Sequence, residues 1–252
     1  MDQTFETRPG QCEAHGEFVQ REINILGRHI TWTQCPQCVA EEDARAAEQA
    51  LKAEVERKQA TAEARLHSAG IPARFITKTL GSYVADTPEK TKVRDAMVRF
   101  SATFSDQLAR GTSVVLSGSP GTGKSHLAIG VLQEVMARGW IGMYMPVMDM
   151  VRMLRDTWRR DSAKSETEVL DTLSGLDLLV LDEVGVQYGT DGEQVILFSV
   201  LDRRYRDARP TILLTNLASE DFAGFVGPRI ADRLREGGAW LRLDWESHRG
   251  RK

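Results

Sequence analysis

Long hydrophobic runs are missing from this sequence. No stretch approaches the roughly 20 apolar residues that a helix needs to cross a bilayer, and the opening residues, MDQTFETRPG, lack the basic-then-apolar order of a secretory signal. Both absences argue against a membrane protein or a secreted one, so we expect a cytoplasmic protein. A strong net charge is also missing: the formal value is −3, so any contact with nucleic acid must come from a local basic patch.

Cysteine is scarce, and its three copies lie near the N-terminus, which suits a metal site better than a disulfide framework. Cys12 and His15 form a C-x-x-H pair, and Cys35 and Cys38 form a C-x-x-C pair. Each pair can offer two ligands to one ion, and a tetrahedral Cys₃His set favours Zn²⁺. Three free thiols beside an unrelated histidine are the alternative, and His29 is a substitute ligand outside either pair.

The residues between the two pairs predict a small β-hairpin. Glu17 to Leu26 and Arg28 to Thr33 are expected to form two strands that turn at Gly27 and bring the pairs together. A unit of this size buries too little surface to fold alone, so a metal would supply much of its folding energy. We assign residues 1–40 to this unit.

Glycine and proline are absent from Val39 to Ala69. Alanine, glutamate, lysine and arginine dominate, with Glu41/Arg45 and Glu48/Lys52 among the pairs at i,i+4. This predicts one long helix ending at Gly70. Its apolar stripe is thin, which favours a solvated spacer over a partner-binding helix. We expect a helical connector over 41–70 and a main domain over 71–252.

The main domain carries a phosphate-binding motif. Apolar Val114, Val115 and Leu116 lead into GSPGTGKS, and Ser125 opens an amphipathic segment. G-x-x-x-x-G-K-S between a strand and a helix predicts a loop whose backbone N–H groups and helix terminus bind phosphates. We expect nucleotide contacts from Gly118, Ser119, Pro120, Gly121, Thr122, Gly123, Lys124, Ser125 and His126. Within this set, Lys124 should reach the β- and γ-phosphates, and the Ser125 hydroxyl should ligate Mg²⁺.

Four further apolar runs follow the loop, with helical stretches between them. They predict strands at 142–145, 178–181, 211–214 and 240–243. The alternation indicates an α/β domain with a parallel sheet, helices on both faces and ligands at the carboxyl ends of the strands. Before the loop, Val93 to Leu108 predicts another helix, and the region of Tyr83 is a candidate for contacts with the base.

Polar residues end two of these strands. Asp182 can hold Mg²⁺ through water, and Glu183 can polarise an attacking water, so the pair favours hydrolysis over transfer to a small acceptor. Asn216, which ends the next run, is a candidate for orienting that water. Together with Lys124 these side chains form the expected catalytic set.

Five segments in order resemble AAA+ ATPases of the DnaC/DnaI helicase-loader group, which itself resembles the IstB transposition helpers. They are GSPGTGKS, LLVLDEVG, ILLTN, GPRIADRL at 227–234 and DWESHR at 244–249. The resemblance covers roughly residues 70–252 and implies an AAA+ domain with a five-stranded parallel sheet. It also implies that Arg229 is a finger reaching the neighbouring subunit's nucleotide and that Arg249 is the second sensor. The N-terminal unit resembles the zinc-bearing front ends of DnaI and of phage-type DnaC-like proteins.

Residues 147–160 are expected to form a helix with an apolar face, which includes Trp158, and a basic ridge of Arg152, Arg155 and Arg159. The segment resembles the inserted helical element that lines a channel for single-stranded DNA in loaders and initiators. Three arginines per subunit would give salt-sensitive, sequence-tolerant binding. An ordinary amphipathic helix with solvated arginines is the alternative.

We therefore expect an oligomeric, ATP- and Mg²⁺-dependent loader of a DnaB-like replicative helicase, assembled through its ATP sites on single-stranded DNA. Three rivals stay open: an IstB-like helper of transposition that acts with a transposase, a metabolic phosphate-loop kinase, and a non-catalytic zinc-bearing adaptor. Partner capture separates the first rival from the loader, a phosphorylated small product would identify the second, and failure to release phosphate would support the third.

Overall fold

The structure is a computed structural model, and it describes residues 6–25, 28–186 and 191–248. The chain divides into two compact units, Met1–Ala62 and Glu63–Lys252. The boundary falls inside one long helix, and the three-part division expected from the sequence stays a prediction. None of the helices in the described ranges is long and apolar enough to cross a membrane.

The first unit is a three-stranded antiparallel sheet followed by the helix. Its strands are β1 (Thr7–Cys12), β2 (Gly16–Ile25) and β3 (Arg28–Trp32), in the order β1-β2-β3. The last two match the predicted hairpin, while β1 was missed. It contains Pro9, and proline argues against a strand except at a sheet edge, which is where β1 lies. The predicted turn residue, Gly27, lies outside the described residues.

Helix α1 runs over Pro36–Ser68. It begins three residues earlier than predicted because proline suits the first turn of a helix, where its missing N–H is not needed. Described side chains from 39 to 54 are exposed, as expected for a solvated spacer. The predicted pairs Glu41/Arg45 and Glu48/Lys52 form at 3.3 and 2.7 Å. The chain leaves the helix at Gly70, whose φ is +74°.

The second unit is a parallel five-stranded sheet with helices on both faces, as the sequence predicts. Its strands are β4 (Val114–Gly118), β5 (Gly142–Pro146), β6 (Leu178–Val184), β7 (Thr211–Thr215) and β8 (Ala239–Leu243). In the sheet they lie side by side in the order β5-β6-β7-β4-β8. The helices are α2 (Pro88–Ala102), α3 (Phe104–Arg110), α4 (Lys124–Ala137), α5 (Val147–Asp156), α6 (Glu166–Gly175), α7 (Asp191–Arg206), α8 (Ser219–Val226) and α9 (Pro228–Gly237).

Alternate strand residues feed two separate cores. Leu178 and Val180 pack on the face covered by α2 and α4, whereas Leu179 and Leu181 pack on the face covered by α5 to α9. This follows from the period of two in a strand, with both faces buried. The carboxyl ends of β4, β6 and β7 are left at one edge of the sheet, where their polar residues meet.

The single helix predicted from Val93 to Leu108 is wrong, because two helices, α2 and α3, occupy this segment. Thr103 leaves helical geometry (φ −104°, ψ 26°), and its hydroxyl donates to the Arg99 carbonyl at 2.8 Å. The apolar spacing continues across the break since Phe100 and Phe104 enter the same core. A pattern of buried residues therefore does not reveal the interruption.

Candidate nucleotide site and N-terminal metal centre

The phosphate loop joins the end of β4 to the start of α4. Lys124 is the first residue of α4, and only 8% of it is exposed. Its Nζ donates to the carbonyls of Gly118 (2.6 Å) and Ser119 (3.0 Å), and to Oδ1 of Asn216 (2.9 Å). The loop needs glycine at 123, where φ is +99° and an added Cβ would lie 2.6 Å from the Tyr83 ring. A lysine held this way lies where a phosphate chain would receive its charge.

The acidic pair lies at the end of β6, beside the first turn of α4. Ser125 Oγ donates to Asp182 Oδ2 at 2.9 Å, so the two predicted magnesium ligands are in contact. Glu183 follows with φ +59°, a left-handed conformation that costs energy for a side chain with a Cβ. Its backbone N–H donates to Asp182 Oδ1 at 2.7 Å, and its side chain is exposed. The turn therefore separates a buried, hydrogen-bonded acid from an exposed acid that water can reach.

Tyr144 on β5 belongs to this site and was missed from the sequence. Its hydroxyl donates to Asp182 Oδ2 at 2.6 Å, and the ring is buried. Burial and the neighbouring Asp182 charge both raise the pKa of Tyr144 far above its usual value, so it stays a proton donor. The available signal was a tyrosine inside an otherwise apolar strand, because a buried phenol normally finds a polar partner.

Two segments far from the phosphate loop in sequence donate hydrogen bonds to its carbonyls. Tyr83 OH and Trp245 Nε1 both donate to the Thr122 carbonyl, at 3.3 and 2.9 Å. The His248 N–H donates to the Gly121 carbonyl at 2.9 Å. Burial raises the pKa of Tyr83 to about 12, so this donor also keeps its proton. The segment before α2 and the segment after β8 therefore both stabilise the conformation of the phosphate loop.

His126, expected to contact nucleotide, lies on α4 against the Tyr83 region. Its Nε2 is 2.8 Å from the Thr79 carbonyl and 3.2 Å from Ser82 Oγ, and its ring meets that of Tyr83 edge-on at 5.3 Å. Burial lowers the pKa of His126, which keeps the ring neutral near pH 7. A neutral ring bonded to the main chain is a structural tie between α4 and the segment before α2.

Two arginines were predicted to act on nucleotide, Arg229 as a finger and Arg249 as the second sensor. Arg229 is the second residue of α9, and its side chain is 68% exposed. Its guanidinium lies 3.9 Å from Asp202 and 5.7 Å from the centre of the Phe198 ring, both on α7. An exposed arginine on this helix is free to face another subunit, so its role as a finger stays a prediction. Arg249 lies outside the described residues.

The predicted basic ridge is shorter than expected. Helix α5 ends at Asp156, so Arg159 lies in the turn beyond it. Arg152, Arg155 and Arg159 pair with Asp149 (3.1 Å), Glu193 (3.4 Å) and Asp161 (3.4 Å) respectively.

The placement of Trp158 on the apolar face is wrong. Val147, Val151 and Leu154 are buried, but Trp158 is 58% exposed, and its Nε1 donates to Glu166 at 2.8 Å. The helix stops before this residue: the Thr157 hydroxyl bonds the Leu154 carbonyl at 2.6 Å, which favours a turn at this point. Helical spacing therefore no longer applies to Trp158.

The four predicted metal ligands converge in the first unit. Their ligand atoms all lie within 4.8 Å of one another. His15 Nδ1 is 3.3 Å from Cys38 Sγ and 3.7 Å from the sulfurs of Cys12 and Cys35, and the Cys12 and Cys38 sulfurs are 3.4 Å apart. A tetrahedral zinc site with bonds of about 2.0–2.3 Å needs edges of roughly 3.3–3.8 Å. These four separations lie in that range, and three cysteines with one histidine are a donor set that suits zinc.

The surroundings of the cluster favour metal binding as well. His15 Nε2 is 3.1 Å from Glu41 Oε1, so a carboxylate lies behind the histidine, as in many metal sites. Backbone N–H groups of Ala14 and His15 lower the pKa of Cys12 to about 6, which favours the thiolate that binds metal. The side chain of His29, the substitute ligand, lies outside the described part of the structure.

Comparison with known proteins agrees with this geometry. The family profile described as IstB-like ATP binding protein matches residues 40–250. The chain belongs to the IstB-like family of ATP-binding proteins. Among curated relatives, the replicative helicase loader DnaC of Escherichia coli K12 is 41% identical over 140 residues, which are 55% of this chain and 57% of the relative. The chain thus matches little more than half the length of that protein.

A second DnaC, from Buchnera aphidicola subsp. Acyrthosiphon pisum, is 32% identical over 185 residues, which are 73% of this chain and 74% of the relative. Among solved structures, the DnaC helicase loader aligns with a TM-score of 0.62 at 23% identity over 68% of this chain and 99% of that one. DnaI aligns at 0.58 and 20% identity over 71% and 94%. These structures confirm the predicted α/β fold, and the family match confirms the resemblance inferred from the five motifs.

Proposed function

We propose that this protein is an ATPase that loads the replicative DNA helicase onto single-stranded DNA. The observation that carries the proposal is the convergence of Lys124, Asn216, Ser125, Asp182 and Glu183 at one edge of the sheet. Relatives that share this part of the chain are named replicative helicase loaders.

The site has the parts that hydrolysis of ATP needs. The loop N–H groups and Lys124 would bind the phosphates, while Ser125 and Asp182 would hold Mg²⁺, which would neutralise charge on the phosphate oxygens. Glu183 is exposed beside them and orients the attacking water. Asn216, already bonded to Lys124, would contribute an amide beside the phosphate that this lysine binds. This arrangement disfavours the non-catalytic adaptor, and the family match disfavours the metabolic kinase.

Self-association completes the proposal. Arg229 is exposed on α9 and would supply positive charge to the nucleotide of a neighbouring subunit, so that assembly depends on ATP. Arg152 and Arg155 on α5, with Arg159 in the turn beyond it, would then repeat along the assembly and bind the backbone of single-stranded DNA. Zinc in the Cys₃His cluster would stabilise the N-terminal unit, which we expect to dock on the helicase.

A loading assay tests the proposal. The purified chain is mixed with the replicative helicase of its host, ATP, Mg²⁺ and a single-stranded circle coated with single-strand-binding protein, and unwinding of an annealed oligonucleotide is measured. We expect Lys124→Ala to abolish loading and phosphate release. Glu183→Gln should still bind ATP and release little phosphate, because it lacks the carboxylate that orients water. Normal loading by Lys124→Ala would refute the proposal.

An IstB-like role in transposition is the second candidate, because the matching family profile carries that name. It predicts binding to double-stranded DNA and capture of a transposase rather than a helicase. Affinity capture from host lysate with and without ATP separates the two candidates: helicase supports loading, and transposase supports the alternative.

A further inference from the structure

The Asp182 carboxylate receives hydrogen bonds from three elements. Ser125 Oγ and Tyr144 OH donate to Oδ2 at 2.9 and 2.6 Å, and the Glu183 N–H donates to Oδ1 at 2.7 Å. Ser125 and Glu183 belong to the two sequence motifs of the site. Tyr144 belongs to neither, since it comes from β5, and it makes the shortest of the three contacts.

A carboxylate that holds a metal through water must keep one orientation, because its oxygens have to face the metal's water shell. The Ser125 hydroxyl would itself ligate the metal, so it cannot be the only group that orients Asp182. The phenol of Tyr144 is buried on β5 and donates to Asp182 Oδ2 at 2.6 Å. It is therefore a support for Asp182 that does not itself have to ligate the ion.

The main chain of Tyr144 makes a second connection. Strand β5 is at the edge of the sheet, and the Tyr144 N–H donates to the carbonyl of Ala69, just after α1, at 2.8 Å. Next to it, an added Cβ on Gly70 would lie 2.2 Å from the Tyr144 carbonyl oxygen. The chain that leaves the long helix therefore packs tightly on the residue whose side chain supports Asp182.

We propose that Tyr144 is a positioning residue that links the magnesium site to the end of the connector helix. Its phenol orients Asp182, and its main chain holds the segment that follows α1. A displacement of this segment would shift the phenol and weaken metal binding. The inference rests on the proposed function, because it concerns the Mg²⁺ that accompanies ATP.

Magnesium-dependent nucleotide binding tests the role of the phenol. The affinity of the full chain for a fluorescent, non-hydrolysable ATP analogue is measured against Mg²⁺ concentration. Tyr144→Phe keeps the ring and loses one donor, so we expect the half-maximal Mg²⁺ concentration to rise about 10-fold, with affinity in EDTA unchanged. The matched control is Tyr205→Phe, which removes another phenol bonded to a carboxylate, that of Glu236 at 3.1 Å, and should behave as wild type.

The link to the connector needs a second pair of variants. Gly70→Ala and Gly139→Ala both place alanine at a positive φ (+74° and +96°), but only the first meets Tyr144, since the second opens into free space. We expect Gly70→Ala to raise the Mg²⁺ requirement and Gly139→Ala to leave it unchanged. Equal effects of these two variants would overturn the link to the connector.

The failure of this inference differs from the failure of the proposed function. A Tyr144→Phe protein with the wild-type Mg²⁺ requirement would overturn the positioning role while the wild type still hydrolysed ATP and loaded helicase. A wild-type chain whose affinity for the nucleotide does not change with Mg²⁺ concentration would instead contradict the proposed Mg²⁺-dependent ATPase. Thermal melting of every variant shows whether a change reflects the metal site or loss of the fold.

Discussion

Glu193 restrains one arginine of the proposed DNA-binding ridge, and releasing it should strengthen DNA binding. The Glu193 side chain is only 5% exposed, and its Oε1 accepts from Arg155 Nη2 at 3.4 Å. Its other oxygen, Oε2, is buried and has no hydrogen-bond partner in the structure. A phosphate that binds Arg155 must therefore compete with a poorly solvated carboxylate. Glu193→Gln removes this competition and retains the side-chain shape.

The size of the effect follows from counterion release. Each phosphate neutralised on a single strand contributes about −0.7 to the slope of log K against log salt. Freeing Arg155 should make the slope more negative by about 0.7, which is roughly a fivefold gain in affinity at 0.1 M salt relative to 1 M. The fold should not weaken, because the substitution removes a buried charge with one unpartnered oxygen.

Fluorescence anisotropy with a labelled poly-dT oligonucleotide, over a series of salt concentrations, measures this slope. Asp161→Asn is the matched control, since it removes one negative charge that pairs with Arg159 in solvent and should change the slope little. The gain from Glu193→Gln should vanish when Arg155 is alanine. An unchanged slope, or a gain that persists without Arg155, would refute the proposed competition.

Three further predictions concern stability and metal binding. Arg204→Met should lower the free energy of unfolding by about 3–5 kcal/mol in chemical denaturation. The buried guanidinium donates to four main-chain carbonyls and one hydroxyl, and all five would lose this donor. A loss under about 1 kcal/mol would contradict this. Cys38→Ser should reduce bound zinc well below one ion per chain by elemental analysis and lower the melting temperature of the N-terminal unit, whereas full zinc content would exclude Cys38 as a ligand. The hydrogen bond and charge of Arg233 lower the pKa of Asp202, so the stabilisation from Asp202 should be present above about pH 4 and disappear as the pH falls through the depressed pKa. Asp202→Asn should therefore be less stable than wild type at pH 7, and the difference should shrink as the pH falls below about 4. A difference that does not change with pH would contradict the reasoning.

Several errors share a cause, because sequence patterns describe periodicity and not interruptions. The spacing of Val93, Phe100 and Phe104 continues through the break at Thr103. In the same way, Trp158 continues a helical pattern that ends at Asp156. In both cases a threonine hydroxyl bonds a preceding carbonyl at the point where the helix stops. In each case the threonine hydroxyl competes with main-chain N–H groups for a helix carbonyl, and the spacing of apolar residues does not indicate this competition.

The sequence by itself determined the phosphate loop, the parallel α/β fold and the four members of the cysteine–histidine cluster. Each depends on residues that lie close together in the chain or on a period that burial imposes. Only the tertiary structure decided that Tyr144 donates a hydrogen bond to Asp182, that Arg155 pairs with Glu193, and that Ala69 accepts a hydrogen bond from the edge of β5. These contacts join residues from different elements, 38 to 75 positions apart in the chain. Their existence depends on strand order and helix placement, which no local pattern encodes.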